Sequence, residues 1–242
     1  MNTNILKTAI TAESKRGVMK DLLRIIVVTI LLLSVQNAFA QIEYGIKLGG
    51  NFSKMKFNGV KEINDKDIKM RPGFCVGIFV NDKLEGSILS LESGLNIETK
   101  GYNYKTTNEI IVSGVKIKGT GSVNIVYATI PANIRLNFGG FYLMAGPYFS
   151  VGIMGRSSSN AEATSTVKNK KTTESASYNK DLDFKTDCKR SDAGINFGFG
   201  ENIGKIGIRF SYALGLLNIL QDKSNKYEAT NRTLSCALTC HF

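Results

Sequence analysis

Apolar residues alternate with small or polar residues along most of the chain that follows residue 40. Within residues 192–200, for example, every second residue is Ala, Ile or Phe, and the others are Asp, Asn or Gly. Successive side chains of a strand point to opposite faces, so this period of two predicts a strand with one apolar face. The same pattern predicts eight strands, at residues 42–53, 73–82, 87–100, 123–138, 141–154, 192–200, 205–214 and 234–242.

The connections between these strands are alternately short and long. The short ones contain Gly, which suits tight turns, and the long ones have 13 to 36 residues. Short connections lie at 83–86, 139–140 and 202–204, and long ones at 54–72, 101–122, 155–190 and 219–231. We expect 155–190, rich in Ser, Thr and Lys, to be a mobile loop, and 109–118 to add a strand above the membrane. This layout predicts an all-β fold, an eight-stranded antiparallel up-and-down transmembrane β-barrel.

Alternation alone does not show which face of such a barrel points outward, because a soluble barrel buries the same apolar residues inside. The second set of residues is rich in Gly, Ser, Asn and Ala, which fit the narrow interior of an eight-stranded barrel. Most strand charges also fall on that set, and the interior tolerates charge better than lipid does. We therefore expect a polar network in the lumen, formed by Lys47, Glu92, Glu98, Arg135, Asp192 and Arg209. We expect lipid-facing positions at Phe149, Ile195, Phe197, Ile208, Phe210, Leu238 and Phe242.

Two prolines, Pro131 and Pro147, fall inside predicted strands. A closed barrel has no free edge, and each proline removes one hydrogen bond from the ladder between strands. We expect β-bulges to accommodate them.

The first forty residues have the order of a secretory signal. Lys20 and Arg24 precede an apolar stretch, which is followed by the small-residue cleavage pattern Ala38-Phe39-Ala40. The apolar stretch is shorter than the roughly 18 residues of a membrane-spanning helix. We therefore predict a signal peptide at 1–40, with Met19 as an alternative start, and an outer-membrane barrel domain at 41–242.

Export changes the interpretation of the formal charge of +11. An exported protein rarely meets nucleic acid, so we expect no nucleic-acid partner. Lysines are concentrated in the loops 54–72 and 155–190, where they suit contact with lipopolysaccharide phosphates, other outer-membrane lipids or acidic surface polymers. Ordinary solvation of these side chains is an equal alternative, and the loops 101–122 and 219–231 are further candidate surfaces for envelope proteins.

The cysteines and the single histidine do not form a recognisable reactive site. The four cysteines have no paired spacing typical of zinc ligands, so we expect no metal or other cofactor. We expect them to be small buried apolar side chains, with a Cys75–Cys188 disulfide as an alternative. Cys236 and Cys240 share one face of a strand, about 13 Å apart, which is too far for a bond.

Catalysis on lipid would require a nucleophile and a base at the membrane rim, and His241 is the only histidine. We expect it to have no catalytic role and the protein not to be an enzyme. Glu92 and Glu98 are better interpreted as partners of Arg135 and Arg209, in a network with Lys47 that closes the barrel to solutes. Two alternatives remain open: a lipid-modifying barrel enzyme, and a soluble exported barrel that binds a small apolar ligand.

Several short stretches resemble a known family. They are Tyr44-Gly-Ile-Lys-Leu-Gly-Gly-Asn51, Leu91-Glu-Ser-Gly-Leu95 with Lys100-Gly101, Ala128-Thr-Ile-Pro-Ala-Asn-Ile134, Met144-Ala-Gly-Pro-Tyr148 and the ending at Phe242. In this order they resemble the small outer-membrane β-barrel family labelled porin-family or PorT-like, over about 41–242. The resemblance implies an eight-stranded barrel in the outer membrane of a Gram-negative cell, with prolines at comparable strand positions. It does not imply a shared activity. Our own expectation is a structural or interaction role in the envelope, with function in the surface loops.

Overall fold

The computed structural model describes residues 41–59, 66–105, 110–112, 115–167, 170–221 and 227–242. The predicted signal peptide lies outside these residues. Within them, no helix is both long enough and apolar enough to span a bilayer. The strands are β1 (Gln41–Asn58), β2 (Ile68–Lys69), β3 (Arg71–Lys83), β4 (Leu89–Lys105), β5 (Ile110–Val112), β6 (Val115–Phe138), β7 (Phe141–Val167), β8 (Lys170–Asp181), β9 (Ser191–Ile203), β10 (Ile206–Gly215) and β11 (Glu228–His241).

Eight of these strands form a closed antiparallel ring, in the order β1, β3, β4, β6, β7, β9, β10 and β11. The first and last strands close it, with Gly45 opposite His241 and Asn58 opposite Glu228. The backbone N–H of Phe242 donates to the carbonyl of Tyr44 at 2.9 Å, so pairing continues to the end of the chain. The predicted eight-stranded up-and-down barrel is confirmed.

The two ends of the barrel differ as the connection lengths predict. At the turn end, Gly86, Gly139 and Gly204 have positive φ angles of 67°, 69° and 62°. L-residues with a Cβ rarely adopt this backbone conformation, so glycine permits the reversals. The opposite end carries the long connections and is called the loop end.

The long connections contain more strand than the alternation predicts, and the boundaries at the loop end are corrected accordingly. The expectation that 155–190 is a loop is wrong for most of its length, because β7 continues to Val167 and pairs with β8 as a long hairpin. This hairpin is rich in Ser, Thr and Ala on both faces. The sequence therefore shows no apolar stripe with a period of two in this region. The extra strand expected within 109–118 is present as β5, which pairs with the start of β6; residues 109, 113 and 114 lie outside the described part.

The prolines are accommodated without the expected bulges. The β6–β7 register is the same on both sides of Pro131 and Pro147, and the register shift in this pair lies between Val126 and Tyr127. The hydroxyl of Ser93 donates to the carbonyl of Pro131 at 2.8 Å. A side chain of the neighbouring strand therefore compensates part of the interrupted ladder.

Candidate functional site: the barrel interior

The inward side chains nearer the turn end form one ion cluster around Glu92 of β4. Arg209 of β10 donates through Nη1 and Nη2 to the two oxygens of Glu92, at 2.8 and 2.7 Å. Arg135 of β6 donates through Nη1 to Glu92 Oε2 at 3.0 Å. All three side chains are at most 3% exposed. We call Glu92, Arg135, Arg209 and Tyr142 the Glu92 cluster.

Tyr142 of β7 completes this cluster by contacting both arginines. Arg209 Nε donates to its hydroxyl at 2.9 Å, and the guanidinium of Arg135 lies over its ring at 3.7 Å from the centroid. A guanidinium over an aromatic face is stabilised by the ring quadrupole. One carboxylate and one aromatic ring thus hold two buried cations in fixed positions.

A second ion cluster lies further along β4 towards the loop end, around Lys100. Its Nζ contacts Asp192 at 3.0 Å, Glu98 at 3.3 Å and the hydroxyl of Ser150 at 3.1 Å. Thr129 donates to Glu98 at 2.7 Å. Lys100, Glu98, Asp192, Ser150, Thr129 and Tyr148 are called the Lys100 cluster; Lys100 Nζ lies 4.2 Å from the Tyr148 ring centroid.

The structure therefore divides the six residues expected in one network between two clusters. Glu92, Arg135 and Arg209 form the first, while Glu98 and Asp192 belong to the second. The expected pairing of Glu98 with an arginine is wrong: its cationic partner is Lys100. Lys100 was missed because it sits at the end of a predicted strand, beside Gly101, where alternation no longer assigns a face.

Lys47 lies between these clusters. It is half-buried and lines a cavity of about 40 Å³, together with Cys75, Glu92, Glu98, Asn133 and Arg209 among others. A polar cavity of this volume has room for a few water molecules and none for a sugar or an amino acid.

The interior at the loop end is apolar instead. Met55, Ile125, Tyr127, Cys188, Ile219 and Ala229 form a buried cluster, the apolar cap. Its members come from the barrel wall and from the connections after β8 and β10. The cap crosses the mouth of the barrel, and hydrogen bonds such as Lys189 N–H to the Ile219 carbonyl, at 2.7 Å, join the two connections.

Two glycines of β7 make room for this cap. A Cβ at Gly152 would lie 2.6 Å from the ring of Phe184, and one at Gly155 would lie 2.9 Å from Leu182. Both separations are below van der Waals contact, so the absence of side chains lets the β8–β9 connection enter the mouth. Sequence patterning did not indicate this role.

The residues expected to face lipid lie on the outer face of the described barrel. Their exposed fractions run from 36% for Phe210 to 70% for Phe242. The outer face also includes Ile46, Leu48, Ile78, Leu95 and Ile134 on neighbouring strands. Phe197, Tyr212, Phe199 and Phe210 form ring contacts along it, with centroids 5.4 Å apart in the Phe197–Tyr212 and Phe199–Phe210 pairs.

The cysteines are all free, so the alternative of a Cys75–Cys188 disulfide is wrong. Cys75 and Cys188 are buried, as expected for small apolar side chains. Cys236 is exposed on the outer wall and Cys240 is half-buried, which corrects the expectation for these two. No group of His, Cys, Asp and Glu among the described residues is arranged to hold a metal ion.

His241 has two polar neighbours at the turn end. Its Nε2 lies 3.3 Å from the Thr239 hydroxyl, and its Nδ1 lies 3.9 Å from Glu43 Oε2. Its ring packs edge-on against Phe79, with centroids 5.1 Å apart. Glu43 accepts hydrogen bonds from Asn81 and Lys83, so its carboxylate is held mainly by other partners.

The sequence of 36–221 matches the model of a family described as outer membrane protein beta-barrel domain. The chain belongs to this family. It is therefore an integral β-barrel protein of the outer membrane, with its loop end towards the outer surface, since short turns face the periplasm in such barrels. The finer label PorT-like stays a prediction, and no curated protein matches the chain.

Similar solved structures include other small outer-membrane barrels. Ail of Yersinia pestis, solved with the heparin analogue sucrose octasulfate, is 15% identical; the match covers 84% of this chain and 99% of Ail, with a TM-score of 0.37. Neisserial surface protein A is 9% identical over 82% of this chain and 97% of its own, with a TM-score of 0.32. The N-terminal β-barrel domain of Pseudomonas aeruginosa OprF is 10% identical, over 84% and 99% respectively, with a TM-score of 0.26.

Proposed function

We propose that this protein is a structural and interaction component of the outer membrane, with a closed interior and a binding surface at the loop end. The main support for a closed interior is the position of Glu92, whose carboxylate binds arginines from two other strands across the lumen. Removing one member of such a buried group leaves an uncompensated charge, which costs about 3–5 kcal/mol. Opening the lumen by separating this cluster would therefore cost several kcal/mol.

Two further layers support closure. The Lys100 cluster lies above Glu92 and joins β4, β7 and β9. The apolar cap lies above both, and its side chains pack across the mouth. A solute would have to separate buried ion pairs and also displace packed side chains.

Planar-bilayer recording tests closure directly. The purified protein should give no stable open-channel current, and a variant changed in all three layers, Glu92→Ala/Lys100→Ala/Ile219→Ala, should give measurable current if these layers form the seal. Glu85→Ala, in an exposed turn, is the matched control. Stable, sizeable currents from the unchanged protein would contradict the proposal.

The outer apolar face is proposed to contact lipid hydrocarbon. Leu48 and Leu238 are cross-strand partners and are 65% and 61% exposed. An arginine in the lipid-facing wall costs about 2–4 kcal/mol near the midplane and about 0–1 near the interface. Leu238→Arg should therefore lower folding stability in bilayers far more than Ile203→Arg beside the short turn; equal effects would contradict a lipid-facing wall.

A soluble barrel that binds an apolar ligand would need an apolar interior. The middle of the described interior instead carries two ion clusters, the apolar cap above them is packed, and most large apolar side chains lie on the outer face. Extraction only with detergent, together with a mobility on gels that changes with heating, is the expected behaviour. Release into the soluble fraction after osmotic shock would favour the alternative.

We propose that the protein is not an enzyme. Thr239 and His241 are buried, and the His241–Glu43 distance of 3.9 Å exceeds a hydrogen bond. A substrate carbonyl has no route to a hydroxyl that is 2% exposed. His241→Asn should leave any activity of the preparation on envelope lipids unchanged, and a loss confined to this variant would support the lipid-modifying alternative.

The loop end is proposed to contact lipopolysaccharide, acidic surface polymers or envelope proteins. The β7–β8 hairpin and the connection after it present exposed polar side chains, among them Lys180 and Lys185. Association with lipopolysaccharide should weaken as salt rises, because exposed charges are screened over about 8–10 Å near physiological ionic strength. Salt-independent association would contradict an electrostatic contact.

The proposed signal peptide has a simple test. N-terminal sequencing of protein extracted from outer membranes should begin at Gln41. Retention of residues 20–40 would contradict cleavage after Ala40.

A further inference from the structure

Two cations lie directly opposite each other on the outer wall, at the loop end of β1 and β11. Lys54 is the cross-strand partner of Arg232. Their neighbours Ser53 and Thr233 are buried in the interior, while Phe52 and Leu234 are exposed outside. Alternation therefore places Lys54 and Arg232 on the outer wall, and we call them the rim pair.

The rim pair has none of the ion pairs that hold several other charges of the described barrel. Among the described residues, neither side chain has an ion pair, and Arg232 Nε is buried without a hydrogen-bond partner. By contrast, Arg156 on β7 contacts Asp181 at 3.2 Å, and Lys83 at the turn end contacts Glu43. Like charges directly opposite in a sheet are destabilising, and a bound anion would offset that cost.

The surroundings of the rim pair define what kind of anion fits. Phe52 and Leu234 lie on the membrane side of the pair and are themselves cross-strand partners. Leu48 and Leu238 continue the apolar wall towards the turn end. On the other side, Lys56 adds a third cation beside Thr230. An anionic group bound here would stand at the boundary between hydrocarbon and water, with an apolar surface directly below it.

We propose that the rim pair binds a phosphate of an outer-leaflet glycolipid, whose acyl chains lie along Phe52, Leu234 and the leucines beyond. This inference rests on the proposed contact with lipopolysaccharide and gives it a site on the barrel wall, apart from the loops. A guanidinium donates to a phosphate in a two-point arrangement, and an ammonium adds a compact charge. The phosphate would neutralise the two facing cations and accept from Arg232 Nε.

Binding of purified lipid A to the full protein tests the proposal, with native mass spectrometry of detergent-solubilised protein as the readout. The double variant Lys54→Gln/Arg232→Gln should bind lipid A carrying both phosphates at least about tenfold more weakly, because a hydrogen bond to a charged group accounts for about that factor. Lys205→Gln, at an exposed turn-end residue away from the rim pair, should bind as the unchanged protein does. The charge-conserving variant Lys54→Arg/Arg232→Lys should retain most of the binding.

Further binding measurements test whether the phosphates of lipid A are the groups recognised. Lipid A from which both phosphates have been removed should bind the unchanged protein as weakly as bisphosphorylated lipid A binds the double variant. Equal binding of these two lipids to the unchanged protein would overturn the proposal, as would unchanged binding by the double variant. Binding of millimolar inorganic phosphate without any binding of lipid A would also overturn it, because the site would then bind the ion and not the lipid.

Folding is monitored by heat-modifiable mobility in every variant. If the double glutamine variant does not fold, Lys54→Gln and Arg232→Gln are each measured singly with both lipids, and unchanged binding by both single variants would overturn the proposal. Bilayer conductance is measured on the same samples, so failure of the lipid site is distinguishable from failure of the closed interior.

Discussion

The lower and upper parts of the barrel interior are filled by opposite kinds of interaction. Near the turn end and the middle, buried ions from four strands meet in the Glu92 and Lys100 clusters. At the loop end, the apolar cap fills the same cross-section with side chains that carry no charge. One chain thus closes its lumen in two ways, within a few residues along each strand.

The ion clusters and the apolar cap stabilise the barrel in different ways. In an ion cluster each member depends on the others, since one deletion leaves a buried charge without a partner. In the cap each side chain contributes according to the surface it buries, and loss of one leaves a cavity whose cost depends on relaxation of its neighbours. The cap also lies on connections, which open locally more readily than barrel strands do.

The largest effect is expected for Glu92→Gln. The substitution keeps the shape of the side chain but leaves Arg135 and Arg209 without a carboxylate, so the free energy of unfolding should fall by about 3–5 kcal/mol. Urea titration of the refolded protein in lipid measures it. Glu85→Gln, in an exposed turn, should change it by less than about 0.5 kcal/mol. Similar values for both variants would mean that the Glu92 cluster does not stabilise the barrel.

Lys100→Met should have a large effect of the same origin. It removes the only cation that contacts Glu98 and Asp192 among the described residues, and leaves two buried carboxylates facing each other. The expected loss is about 3–5 kcal/mol at neutral pH. Part of it should be recovered in acid, where protonation removes the repulsion. Lys105→Met, exposed on the same strand, is the control, and a loss independent of pH would contradict this explanation.

A smaller and more local effect is expected for Ile219→Ala in the cap. Removing a buried aliphatic side chain costs about 2 kcal/mol or more, here mainly by loosening the connections over the mouth. Burial raises the pKa of the Cys188 thiol to about 11, so its labelling is slow in the closed state. Labelling of Cys188 should therefore become faster in this variant.

Leu217→Ala, at an exposed position of the same connection, is the matched control for the cap. It should leave the labelling rate of Cys188 unchanged. If Ile219→Ala lowered the stability of the whole barrel as strongly as Glu92→Gln does, the cap would not be a separate local unit.

The smallest effect concerns an exposed ion pair beside the cap. Lys180 Nζ contacts Asp187 at 2.8 Å and the Asp183 N–H donates to the same carboxylate, and these contacts lower the pKa of Asp187. A lowered pKa in the folded state means that the contribution is present at neutral pH and is lost as pH falls through that value. Asp187→Asn should therefore speed amide exchange around Asp183 at neutral pH and have no effect in acid. A ratio of exchange rates that does not change with pH would contradict this sign.

The sequence predicted the barrel more fully than the contents of its interior. Alternation at 192–200 and 206–214 identified both faces of β9 and β10, because membrane strands keep a strict period of two. The inward parity of Glu92, Arg135 and Arg209 follows from the same pattern. The alternation does not predict that these three side chains meet. Their contact depends on the register between strands that are distant in sequence, as for Glu92 and Arg209.

The cap was not predictable for a related reason. Leu182 and Phe184 lie in a connection without periodicity, and nothing local indicates that they enter the mouth over Gly155 and Gly152. The β7–β8 hairpin was also missed, because strands with polar residues on both faces leave no alternation. The partner of Glu98 was misassigned because Lys100 follows it by two positions, and sequence alone did not rank that neighbour above a distant arginine.

The sequence by itself determined the number of barrel strands, their alternation of faces and the placement of short turns, since each depends on the two-residue period and on glycine at tight reversals. The tertiary structure decided which charges meet, how far the strands extend beyond the apolar wall and what fills the mouth. These features depend on register across the closed ring, which brings together side chains that are distant in sequence, 117 positions apart in the Glu92–Arg209 pair. Local pattern carries no information at that range.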